Sequence, residues 1–94
     1  MNSVKILQAT ADDAARVLRD ISYNTRAEFE VMGVDPAKHA CRMMDVAPAY
    51  LSVCGEAPLT LFGFIDYGTY LSMWTIATPA FFSLGTGEIG RAHV

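Results

Sequence analysis

The chain reads as an α+β domain: an N-terminal strand, two to three helices, a three-stranded antiparallel meander and the start of a further helix. Three observations carry this reading. Between Thr10 and Pro48, apolar residues recur at helical spacing. Beyond Pro48 the pattern becomes strand-like. The turn signals Gly55-Glu56-Ala57-Pro58 and Tyr67-Gly68-Thr69 then leave connections that only antiparallel neighbours can make.

Val4 to Ala9 alternates imperfectly and suits a short first strand. Thr10 precedes Ala11, Asp12 and Asp13. Its hydroxyl can accept from the Asp13 N–H, and the two carboxylates favour the positive end of a helix. Ala14, Val17, Leu18 and Ile21 follow helical spacing, with Arg16, Arg19 and Asp20 on the other face. A second helix spans Thr25 to Met32, capped by Asn24 or Thr25 and closed by Gly33. Asp35 and Pro36 open a third, as N-cap and first helical residue, with Ala37, Ala40, Cys41 and Met44 on one stripe. Pro48 ends it. The strands that follow are Ala49 to Cys54, Leu59 to Asp66 with a bulge at Gly63, and Tyr70 to Thr78. Trp74 and Phe81-Phe82 read as core.

Ninety-four residues make one domain at most, and 52% hydrophobic content argues for a packed core. The net charge of −3 and the scatter of the seven Lys and Arg residues argue against a nucleic-acid partner, which needs a clustered basic face. The N-terminus lacks the apolar core of a signal peptide, so the expectation is cytoplasmic synthesis with Cys41 and Cys54 reduced. Tyr67 to Gly87 carries no charge, but its Gly, Ser, Thr and Pro content argues against a membrane span.

Chemistry-bearing residues are few. Cys41 and Cys54 have no metal-site spacing, and no Ser/His/Asp or Cys/His set can be assembled. His39 reads as a surface residue, and His93 has no acidic neighbour in sequence. Glu28 and Glu30 lie near Arg26 on a solvated face. Asp66 reads as a residue that pins its own turn, with general-base action on an amine as the other reading. Gly85, Gly87 and Gly90 formally match a dinucleotide fingerprint, but the acidic residue required about 20 positions later has no place before Val94. The same glycines, following a strand and preceding Ile89 to Val94 as a helix start, either turn the chain or cradle an anion on unpaired N–H groups.

The element order resembles the first half to two thirds of the GNAT acyl-CoA N-acyltransferase fold. Glu88-Ile89-Gly90-Arg91-Ala92 is similar to the Gly-Ile-Gly-Arg-Ala that often continues that family's Gln/Arg-x-x-Gly-x-Gly/Ala turn. Three registers are open, placing Gly85, Gly87 or Phe82 where the family has Gln or Arg; in the first, Glu88 replaces a glycine. The resemblance implies that the backbone of Ile76 and Ala77 meets the pantetheine arm of acetyl-CoA or another acyl-CoA. It also implies that Gly87, Gly90 and Arg91 hold the pyrophosphate, with an amine as acceptor. It names no catalytic residue here, because the general acid often comes from the family's C-terminal part. The chain therefore reads as a single, incomplete GNAT-like domain over 1–94. A transcript extending past Val94 would support this, and a verified stop codon with a soluble monomeric product would count against it.

Three pieces are similar to GNAT-like proteins of tailed phages, a family that includes an internal virion protein of T7-like phages. They are Glu28 to Pro36 (EFEVMGVDP), the segment from Gly63 to Gly68, and Trp74 to Thr78 ahead of Pro79. This similarity implies phage structural proteins as partners and a place in the host cytoplasm or the virion. Its alternative to catalysis is an assembly role on the same fold.

Overall fold

The computed structural model describes residues 3–84. They form an α+β arrangement: β1 (Val4–Gln8), α1 (Ala11–Arg19), α2 (Tyr23–Met32), α3 (Pro36–Val46), β2 (Ala49–Cys54), β3 (Ala57–Asp66), β4 (Leu71–Ala77) and α4 (Pro79–Leu84). The strands make one antiparallel sheet in chain order, so β1 joins the expected meander as a fourth member by pairing with β2. Leu7, Leu51, Leu61 and Ile76 form one row across it, with Leu51, Leu61 and Ile76 buried.

Local chemistry starts each helix. Thr10 Oγ1 accepts from Asp13 N–H at 3.2 Å while Asp13 Oδ2 accepts from Thr10 N–H at 2.9 Å, a reciprocal capping box that adds a second bond to the expected one. Asp35 Oδ2 accepts from Lys38 N–H at 3.0 Å, with Pro36 at the first helical position. Gly33 has φ 70° at the end of α2, and Val34 N–H reaches back to the Phe29 carbonyl at 3.0 Å.

Alternation puts Ala49, Leu51, Val53, Leu61 and Ile76 on the helix-covered face, where they meet Ala14 and Val17 of α1, Phe29 of α2 and Ala40 of α3. The other face holds Ile6, Tyr50, Phe62, Phe64, Leu71 and Met73 by the same register. There Ser52 Oγ and Thr60 Oγ1 are 2.6 Å apart, a buried hydroxyl pair across β2 and β3.

Four expectations need correction. The cap of α2 is Ser22, whose Oγ accepts from Thr25 N–H at 3.1 Å, so the helix begins before Thr25. The bulge lies at Leu59, between the Ser52–Thr60 and Val53–Pro58 pairs, because Pro58 has no N–H to give a regular ladder. Gly63 stays in register and instead makes room for the Trp74 indole: a Cβ there would meet Nε1 at 2.6 Å. Pro79 starts α4 just after β4 ends, and Phe81 and Phe82, expected in the core, lie on this short helix 37% and 38% exposed. On α3 only Ala40 is buried, while Ala37 and Cys41 of the expected stripe face solvent.

Candidate functional site

The outer margin of β4 is where the sequence-predicted contacts at Ile76 and Ala77 fall. Thr78 N–H donates to the Leu59 carbonyl at 2.9 Å and Tyr67 N–H to the Tyr70 carbonyl at 3.0 Å. Between these anchors the β3–β4 register is unbroken. Antiparallel alternation therefore turns the backbone of Ser72, Trp74 and Ile76 toward β3, and that of Leu71, Met73, Thr75 and Ala77 outward. The Ile76 main chain is thus engaged in the ladder with Leu61, and its side chain is fully buried. The outward carbonyl of Ala77 is taken by Ser22 N–H at 2.8 Å. Of the implied contact strand, the outward groups of Leu71, Met73 and Thr75 are the ones facing away from the sheet. Gly87, Gly90 and Arg91 lie outside the described residues, as does the whole glycine cluster.

Ser22 is the positioning residue that sequence reasoning missed. It is buried, caps α2, donates its hydroxyl to Thr25 Oγ1 at 2.9 Å, and ties the α1–α2 connection to β4 through its N–H. The signal available in the sequence was a Ser three residues ahead of Thr25, followed by a helical stretch. At the same corner, Thr78 is fully buried and donates its hydroxyl to the Pro58 carbonyl at 2.7 Å.

On the inner side of β4, Trp74 meets the edge of His39, with ring centroids 5.7 Å apart; His39 in turn meets Phe29 at 5.3 Å. Three elements meet at this imidazole, which is half-buried: a surface residue, as expected, with its ring packed against two aromatics. Burial lowers its pKa from 6.5, and the Arg42 charge adds to the effect. Asp66 does what a turn-pinning residue does: its Oδ1 accepts from Gly68 N–H at 2.8 Å. Beside it, Tyr67 and Tyr70 stack at 4.9 Å.

Among the described residues no group of three or more His, Cys, Asp or Glu side chains could hold a metal ion. No described helix is long and apolar enough to cross a membrane. No disulfide joins Cys41 and Cys54. An apolar groove of about 400 Å³ lies on the helical side between α1 and α3, lined by Ala14, Leu18, Ala40 and Met44. Its lining includes one acid, Asp45. Among the described residues the arrangement offers main-chain hydrogen bonding along β4. No protein-family model, curated protein or solved structure matches the chain.

Proposed function

We propose that this chain is a GNAT-like acyl-CoA-binding unit whose ancestral chemistry is acyl transfer from an acyl-CoA to an amine. The observation that carries the reading is the outer position of β4, last in a β1–β2–β3–β4 antiparallel sheet, with helices inserted between β1 and β2. A strand presenting amide N–H and C=O groups along one side suits the amides of a pantetheine arm, which are donors and acceptors of the same kind. On this reading Thr75 and the N–H of Ala77 would receive the arm, and Gly87, Gly90 and Arg91 its pyrophosphate. The described residues supply no general base, so transfer would need groups from elsewhere.

A second reading, a non-catalytic assembly protein of a phage particle, is favoured by the exposed apolar side chains of Ile6, Phe64, Leu71 and Met73 on the sheet face opposite α1, α2 and α3. Acetyl-CoA titration with thermal unfolding as readout separates the two. A site with a dissociation constant near 10 μM would gain about 2.7 kcal/mol at about 1 mM ligand, and the melting temperature would rise accordingly. An unchanged melting temperature at that concentration removes the acyl-CoA reading and leaves the assembly role.

A further inference from the structure

We propose that β4 pairs antiparallel with β4 of a second copy of the chain, joining two four-stranded sheets across a twofold axis at Met73. The argument begins with hydrogen-bonding capacity. Leu71, Met73 and Thr75 turn both their N–H and C=O groups away from β3. Their spacing is symmetric about Met73. Antiparallel apposition therefore sets Leu71 opposite the other copy's Thr75, Met73 opposite Met73, and Thr75 opposite Leu71. Each is a hydrogen-bonded pair, giving about six main-chain bonds. A pattern that is its own complement under a twofold rotation is what an isologous interface requires.

The limits of the paired segment are also set by the structure. At the Ala77 end, Ser22 occupies the outward carbonyl, so pairing stops at Thr75. At the Leu71 end the chain enters the Asp66–Tyr70 turn, closed by Asp66 and by the Tyr67–Tyr70 bond. The devices that commonly prevent edge pairing are missing from β4, which runs LSMWTIA without a charge or a proline and has no register shift against β3. Met73 and Leu71 are 61% and 63% exposed on the uncovered face. Apposition would set Met73 against Met73 and Leu71 against Thr75, extending the exposed face across the junction. An extended peptide from another protein would satisfy the same main-chain groups, but a second copy also supplies the exposed Met73 side chain on the axis itself. The contact is narrow, at or below about 1,200 Å² in total, so pairing is weak and dependent on concentration.

The proposal does not rest on the acyl-CoA reading, with which it competes for the outward main chain of Thr75, and it is tested without that ligand. Sedimentation of the full chain between about 10 μM and 1 mM should show a monomer–dimer equilibrium. Over the same range, amide hydrogen exchange at Leu71, Met73 and Thr75 should slow as concentration rises, while Ser72 and Trp74, already bonded to β3, should not respond. Met73→Lys sets two like charges opposite each other on the axis and should weaken the dimer by about tenfold or more. Thr75→Pro removes an outward donor and should do likewise. Because Met73 is exposed, its Lys variant keeps the test valid even if the proline variant fails to fold. A chain that stays monomeric throughout overturns the proposal. So does a dimer that survives Met73→Lys, or one whose concentration-dependent protection lies outside β4.

Discussion

The two faces of one sheet are built from the same four strands by opposite means. On the helix-covered face, Leu51, Leu61 and Ile76 stand in a cross-strand row with essentially no exposure, sealed by α1, α2 and α3. On the other face the equivalent rows mix hydroxyls with aromatics: Ser52 beside Thr60, then Tyr50 and Phe62 with rings 5.7 Å apart, then Phe64 beside Met73. Since side chains alternate along each strand, the contrast is written into every other residue. The first face carries the energy of folding. The second has its polar groups satisfied near Thr60 and its apolar groups exposed near Met73. Stability and interaction are thus separated by a single step in register.

Substitutions that cross this divide should differ sharply. The largest loss belongs to Leu61→Ala, which empties the centre of the sealed row; urea denaturation should show about 3 kcal/mol of destabilisation. Gly63→Ala comes next, at about 1–3 kcal/mol, because its methyl would drive into the Trp74 indole; a Gly63→Ala, Trp74→Phe double variant should recover part of that loss. Ser22→Ala should remove about 1 kcal/mol by uncapping α2 while leaving the Ser22 N–H bond to Ala77 in place.

The His39 effect is smaller and depends on pH. Its pKa is depressed in the folded protein, so the unfolded chain takes up the proton first as pH falls below about 6.5. The stability His39 contributes is complete above that value and is lost between it and the lower folded value. Melting temperature followed from pH 8 to 5 should therefore lose part of its decline in His39→Gln. The smallest effect is expected on the uncovered face: at low protein concentration, Met73→Ser should change unfolding stability by no more than about 0.5 kcal/mol. A loss comparable to that of Leu61→Ala would mean that the two faces are not distinct as described.

The helices and the meander were legible because their signals are local. Thr10 with Asp13, Asp35 with Pro36, and Gly33 each announce a terminus through bonds that span only a few residues. What escaped depends on residues distant in sequence. The bulge was assigned to Gly63 by its residue type, yet the requirement for glycine comes from Trp74 across the β3–β4 pair. The half-burial of His39 depends on α2 and β4, which bring Phe29 and Trp74 to a ring that sequence alone leaves on the surface. The implied site was legible only as a strand. Which of its backbone groups face outward is a matter of register parity, and that parity is fixed by Thr78 pairing with Leu59.

The single bond from Ser22 N–H to the Ala77 carbonyl has a consequence for how the molecule opens. It fastens the α1–α2 junction to the sheet at the point where β4 ends. Detaching that junction costs this bond and the burial of Ser22, while the strand end stays held to β3 through Thr78. A protease directed at residues 20–23 should therefore cut only molecules in which the junction has come away from the sheet, and it can do so without β4 leaving β3.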